Sequence, residues 1–209
     1  MGIQERKKRE QGLRRKQILE AAKIVFSSKG YNTATMEEIA EVAELSPGTL
    51  YIYFKNKEEL HTFLSIDILK YIAEEIEIVT QSNTSSGIKL DELRDVFIKV
   101  YEQDPMILIS LFHLQSGETL KNLSDDVLEQ LKQTSAKALK AITSIIVEGI
   151  DAGIFINEHP VALADVIWST FSGVVLWVDS KRFLNDQKDF VKATLKTAFD
   201  IVKKGLKKD

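Results

Sequence analysis

Cysteine is absent from the 209 residues of this chain. That excludes disulfides, thiolate metal ligands and thiol nucleophiles, and it fits a reducing compartment, so a cytoplasmic location is expected. Only three prolines and ten glycines interrupt the chain, and long regular elements are therefore expected. His61, His113 and His159 lie far apart in sequence. None falls in an H-x-x-x-H or carboxylate pair with ligand spacing on one helix face, so neither metal nor cofactor is expected. His113 with Gln115 and Glu118 is the one polar cluster in that region. The chain also lacks a phosphate loop, a dinucleotide fingerprint, G-x-S-x-G and H-E-x-x-H, so no catalytic residue is assigned and no enzyme is expected. No apolar run is read as approaching the ~18–20 residues that cross a bilayer, and no membrane partner is expected. The charged stretch 1–16 has no apolar centre of a signal peptide.

Positive charge is also short overall, with a net charge of −3, but its distribution matters more than its sum. Residues 1–62 carry net +2 and the remainder net −5. Residues 6–16 hold seven basic side chains (Arg6, Lys7, Lys8, Arg9, Arg14, Arg15, Lys16) against one acid, Glu10. Screening over about 8–10 Å lets such a segment attract phosphate even on an acidic body. A frayed, solvated segment is an equal reading of residues 6–9, against an arm near a minor groove.

What is abundant is apolar residues, 44 % of the chain, spaced as in helices nearly throughout. Ile18, Leu19, Ala22, Val25 and Phe26 form a stripe that Gly30 ends. Thr35 with Glu38 makes a capping box, and Ile39, Ala40 and Ala43 turn inward behind it. Ser46 is the next cap, with Pro47 at the first helical position, where its missing N–H costs nothing. Asn56 and Glu59 repeat the capping pattern before a long helix, Lys57 to Thr80. Residues 81–87 read as a loop. Further helices are expected at about 88–103, 105–117, 124–152, 160–182 and 187–206, with Gly153 and Gly205 as stops. No alternating strand pattern emerges. The expected class is all-α, with about nine helices.

Only Glu44-Leu45 separates the second helix from the Ser46 cap of the third. That spacing suits a helix-turn-helix, whose second helix enters the major groove of DNA. Ser46, Pro47 and Gly48 keep its leading end slim. Thr49, Tyr51 and Tyr53 can donate hydroxyl hydrogen bonds to bases or phosphates. Leu50 and Phe54 are expected inside, and Leu50, Ile52 and Phe54 together suffice for a core. Tyr51 and Tyr53 cannot both share their side, so at least one tyrosine is exposed.

The stretch from Arg15 to Leu64 resembles the N-terminal domain of the tetracycline-repressor (TetR) family. The resemblance rests on K-I-V-F-S-S-K-G-Y-N-T-A-T-M-E-E-I-A at its centre and S-P-G-T-L-Y-I-Y-F-K-N-K-E-E-L at its end. Looser agreement appears in E-G-I-D-A-G-I-F at 148–155 and W-S-T-F-S-G at 168–173. The resemblance implies a DNA-binding domain over 1–56 and a helical ligand-binding and dimerisation domain over 57–209. It implies a homodimeric transcriptional regulator, expected to be a repressor, bound to a palindromic operator in double-stranded DNA. The DNA contacts would be Thr35, Ser46, Pro47, Gly48, Thr49, Tyr51, Tyr53 and Lys57, with Thr35 and Lys57 as phosphate anchors. Arg14 and Arg15 would add phosphate contacts. The helix 57–80 would carry movement from ligand to DNA domain.

The C-terminal body is expected to hold a small hydrophobic effector, such as an acyl chain, an acyl thioester or an aromatic compound. The resemblance implies a cavity among the middle helices. Its expected lining is Met106, Ile109, Phe112, His113, Gln115, Leu139, Ile142, Ile146, Trp168 and Phe171. Residues 160–178 are apolar almost all round, which implies burial on more than one side. With the last helix they are expected to form a four-helix dimer interface through Val175, Leu195, Ala198, Phe199 and Val202. A non-DNA carrier or scaffold protein for hydrophobic ligands is the competing reading.

Overall fold

The computed structural model describes residues 2–115, 123–184 and 190–208. Among them are α1 (Ile3–Lys29), α2 (Met36–Val42), α3 (Pro47–Tyr53), α4 (Lys57–Thr80), α5 (Ser86–Gln103), α6 (Pro105–Gln115), α7 (Asp125–Asp151), α8 (Pro160–Leu184) and α9 (Val191–Leu206). The fold is all-α. The residues form two compact units, Met1–Ser65 and Ile66–Asp209, which divide within α4; the boundary expected between 56 and 57 coincides with the start of that helix.

In the first unit α1 ends where expected. Gly30 takes φ 79°, open to glycine without steric cost, and its N–H donates to Phe26 O at 2.8 Å. The capping box of α2 is formed: Glu38 N donates to Thr35 Oγ1 at 3.2 Å, and Thr35 N to Glu38 Oε2 at 3.1 Å. Ile18, Ala22, Ile39, Ala40, Leu50 and Leu60 are fully buried. Asn56 Oδ1 accepts from Glu59 N at 2.8 Å, while the Glu59 carboxylate reaches one residue further back, to Lys55 N at 2.6 Å.

In the second unit α5 packs on α6, α7 and α9, and α8 packs on α6, α7 and α9. Phe97 stacks on Phe171 with parallel rings 4.0 Å apart, and Phe112, Trp168 and Phe199 close round that pair. Beyond α7 the chain turns at Gly153, where φ is 69°. It then pairs with the end of the chain: Ile156 N donates to Leu206 O at 2.8 Å and Lys208 N to Ile154 O at 3.0 Å. This single antiparallel bridge joins Phe155 and Lys207.

Three expectations are corrected. Gly205 lies inside α9 and does not stop it; the bridge to residues 154–156 fixes the helix end instead. α5 starts at Ser86, inside the expected loop, because the Ser85 carbonyl accepts from Lys89 N at 2.9 Å. The third concerns α8. Its stretch Pro160–Lys181 is 22 residues long with mean hydropathy 1.8, so by length and composition it could cross a membrane. Only Asp165, Asp179 and Lys181 interrupt it, and the serines and threonine hid its apolar character. It is one of the packed helices of the second unit, with Ala164, Ile167, Phe171, Val175 and Val178 buried. It is buried on more than one side, against α6, α7 and α9, and 28 % of the apolar window is buried within the protomer.

Candidate nucleic-acid interface

The turn between α2 and α3 depends on a left-handed residue. Glu44 takes φ 54°, which lets Leu45 N reach back to Ala40 O at 2.8 Å. α3 then starts at the expected cap: Ser46 Oγ accepts from Thr49 N at 3.2 Å and lies 2.8 Å from Thr49 Oγ1. Pro47 and Gly48 are exposed, and a Cβ built on Gly48 would meet nothing within 4 Å. The leading end of the helix is thus both slim and unobstructed.

α3 separates its side chains cleanly. Leu50 and Phe54 are buried, as expected. Tyr51 is 47 % exposed and Tyr53 half-buried. Ile52, expected to be able to join the core, is 79 % exposed. It stands one turn beyond Gly48 on the outward row, and its spacing of four from Gly48 was the available signal.

The basic residues are positioned unequally. Arg15 lies over the rings of Phe54 and Phe63, 4.6 and 4.0 Å from their centroids, which seats the α1 guanidinium on α3 and α4. Arg14 Nη1 donates to Gln17 Oε1 at 2.9 Å, and Gln17 Nε2 donates to Ala43 O at 2.7 Å, so the pair ties α1 to the turn. Thr35 is exposed, its hydroxyl engaged in the α2 cap.

Lys57 departs from its expected role. Its Nζ donates to the carbonyls of Tyr31, Asn32 and Ala34 at 2.8, 3.2 and 3.0 Å, over the Tyr31 ring. All three ammonium protons are thereby used within the protein, and none is left for a phosphate in this arrangement. Lys57 fastens the α1–α2 connection to α4. The exposed cation at this end of α3 is Lys55.

Around this clamp sits a ring cluster. Tyr31 is 4.4 Å from His61 and 5.6 Å from Phe26, and His61 is 5.7 Å from Phe26. Burial pushes the Tyr31 hydroxyl up to about 12, helped by the charge of Glu58 and a hydrogen bond to it. Burial lowers the pKa of His61; Glu58 opposes that shift and Lys57 adds to it.

Residues 18–61 match the family described as bacterial regulatory proteins, tetR family. That match lies within the unit Met1–Ser65. A fatty acid metabolism regulator of Bacillus subtilis is 26 % identical over 194 residues, covering 91 % of this chain and 94 % of that protein. The transcriptional repressor DhaR of Mycobacterium sp. is 26 % identical over 176 residues, covering 80 % and 83 %. Among solved structures, FadR of B. subtilis in complex with stearoyl-CoA has a TM-score of 0.67 at 23 % identity, covering 91 % of this chain and 98 % of that one. PfmR of Thermus thermophilus has a TM-score of 0.71 at 19 % identity, covering 91 % and 99 %. Both of these curated relatives are named as regulators.

The residues expected to line a family ligand cavity fall into four groups. Phe112, Trp168 and Phe171 come together, joined by Phe97 and Phe199, which sequence reasoning had not placed there. Ile109, Ile142 and Ile146 are buried and Leu139 is half-buried. Met106 is 46 % exposed in the first turn of α6, which corrects its expected interior place. The side chains of His113 and Gln115, and Glu118 altogether, lie outside the described residues. Among the described residues no group of three or more His, Asp or Glu could hold a metal.

The expected dimer residues are also corrected. Val175, Leu195 and Phe199 are at most 3 % exposed because they face the protomer's own core. Ala198 and Val202 are half-buried. Uncovered apolar side chains on these helices are Val161, Val166 and Trp177 of α8, at 50, 51 and 58 %, and Ile201 of α9, at 65 %. On α8, Val166, Ser169, Gly173 and Trp177 follow one another at three- and four-residue spacing, and a Cβ on Gly173 would meet nothing within 4 Å.

Proposed function

We propose that the protein is a transcriptional repressor that binds a palindromic operator as a homodimer and leaves it when a hydrophobic small molecule binds the C-terminal unit. The observation that carries this reading is the outward side of α3. A slim Ser46-Pro47-Gly48 end leads to exposed Tyr51 and Ile52, flanked by Lys55 and by Arg14 and Arg15. Thr49, Tyr51 and Tyr53 would lie nearest the bases, and Ile52 offers an apolar side chain for a thymine methyl. Thr35, Arg14 and Arg15 would take phosphates; Lys57 acts behind them, by holding the α1–α2 connection.

The dimer would form through the uncovered row Val166, Ser169, Gly173 and Trp177, with Ile201. Small residues at the centre of such a row allow close helix approach, and a twofold pair matches a palindromic site. The proposed effector is a fatty-acyl thioester. The relative named for fatty acid metabolism and the stearoyl-CoA complex of FadR support that class, as does the aromatic and aliphatic interior of α5, α6 and α8. The effector would act by favouring a dimer geometry in which the recognition helices no longer match half-sites about 34–36 Å apart.

The test is selection of bound duplexes from a random pool with the full chain, repeated with stearoyl-CoA present. An enriched palindrome released by stearoyl-CoA is expected. Selection that enriches no palindrome would sink the operator reading, while an enriched palindrome indifferent to acyl thioesters would sink the effector. Tight acyl-thioester binding with no salt-dependent DNA binding would favour the carrier reading instead.

A further inference from the structure

We infer that the first turns of α1, through Lys7 and Lys8, form a second phosphate-binding track continuous with Arg14 and Arg15, so that DNA contact extends beyond the helix-turn-helix; this rests on the DNA-binding reading above. α1 is a single helix from Ile3 to Lys29, although its buried stripe begins only at Ile18. The turns before it project past the core with every residue from Glu5 to Arg14 exposed.

The charges on that projection are not evenly placed. Stepping back from the buried Ile18 at helical spacing gives Arg14, Gln11 and Lys7. Stepping back from the buried Ala22 gives Arg15 and Lys8. Lys7 and Lys8 thus continue the side of α1 that meets the helix-turn-helix. That side is fixed by Arg15 on Phe54 and Phe63, and by the Arg14–Gln17–Ala43 hydrogen bonds. Arg9 and Lys16 continue the opposite side, the row of Leu13, Glu20 and Ile24, all exposed. Arg6 is ion-paired with Glu10 at 3.1 Å.

Length and charge fit a duplex backbone. From Lys7 to Arg14 the helix advances about 10 Å. That is the axial span of about three phosphates of one strand. Among the described residues Lys7 and Lys8 make no ion pair, and a side chain anchored on a helix aligned with the recognition domain is better placed than one on a floppy tail. Chemically the track is blind to sequence, because phosphate contacts position the protein without reading bases.

The experiment compares K7A/K8A with R9A/K16A in the full chain. The two variants remove equal charge from opposite sides of α1, and all four residues are exposed, so folding is not at issue. Affinity for the selected duplex and for a scrambled duplex is measured against salt concentration. Loss of two phosphate contacts lowers the slope of log K against log salt by about 0.9 for each. K7A/K8A is therefore expected to flatten the slope by about two per protomer, on both duplexes, with the preference between them unchanged. R9A/K16A is expected to change it by less than half as much. A Gly12→Pro variant, which keeps every charge but breaks the helix between the track and Arg14, is expected to behave like K7A/K8A. Equal slopes for the two double variants, or a Gly12→Pro slope like that of the wild type, would overturn the inference. Absence of salt-dependent binding by the wild type would instead remove the DNA-binding reading beneath it.

Discussion

Replacing Gly149 by alanine tests the packing logic of the C-terminal unit most sharply. Gly149 is buried inside α7, and a Cβ built there would lie 2.0 Å from Phe155 Cδ2 and 2.3 Å from Cε2. Carbon atoms pack comfortably at about 3.5–4.0 Å, so the ring must retreat by about 1.5 Å. It has little freedom to do so. Phe155 is 2 % exposed, and its backbone is held by Phe155 N to Gly149 O at 3.0 Å and by the bridge to Lys207. Overpacking of this kind costs about 1–3 kcal/mol, and this site belongs at the upper end. Alanine in place of glycine within a helix returns about 1 kcal/mol, so a net loss of about 2 kcal/mol is expected. Both tryptophans, Trp168 and Trp177, lie in the unit Ile66–Asp209, so urea unfolding followed by tryptophan fluorescence reads this unit. The double variant G149A/F155L should recover about half the loss, because leucine has no ring to collide. A single variant as stable as the wild type, or a double variant worse than both singles combined, would refute the packing argument.

Three other outcomes follow from the structure. Glu44→Gly should raise the melting temperature of the unit Met1–Ser65, since a left-handed side chain costs about 1–2 kcal/mol and glycine's extra unfolded-state entropy takes back only about half of that; an unchanged or lower value in calorimetry would contradict it. Glu148→Ala should destabilise by about 2–3 kcal/mol, because the buried Lys89 would keep only the Thr80 carbonyl at 3.0 Å after losing Glu148 at 2.7 Å. The hydrogen bond from Lys89 holds the Glu148 carboxyl below its ordinary value, so its contribution is present at neutral pH and lost as pH falls below about 4.5; the difference between variant and wild type in urea midpoints should shrink there. His61, lowered mainly by burial, binds its proton more readily when unfolded. Stability of the unit Met1–Ser65 should therefore fall as pH drops below about 6.5, and His61→Phe should remove that part of the slope when unfolding is followed by hydrogen exchange at residues 31–34.

The E-G-I-D-A-G-I-F stretch shows how much lies in a sequence and how much waits for the fold. As letters, Gly153 read as a helix stop, and φ of 69° bears that out. Gly149 carried no local signal, because its reason is a ring six residues later that folds back onto it. Glu148 read as one acid among many, yet it meets Lys89 and Ser86, which are about sixty residues away in the chain. In the unit Met1–Ser65 the caps at Thr35, Ser46 and Asn56, and the inward Leu50 and Phe54, were legible because each is set within one or two helical turns. Lys57 was not, since the carbonyls that claim it belong to a connection more than twenty residues earlier.

What the sequence by itself determined is therefore local: the helices among the described residues, their caps, and a short helix with a slim leading end beside a basic segment. Periodicity and capping act over neighbouring residues, so they survive without knowledge of the fold. What only the tertiary structure decided is allocation. Val175, Leu195 and Phe199 looked like interface and became core, Ile52 looked like core and became surface, and Lys57 was drawn inward while Lys7 and Lys8 were left facing out. An apolar or charged side chain states only its preference; which neighbour satisfies it depends on distant segments brought within a few ångströms.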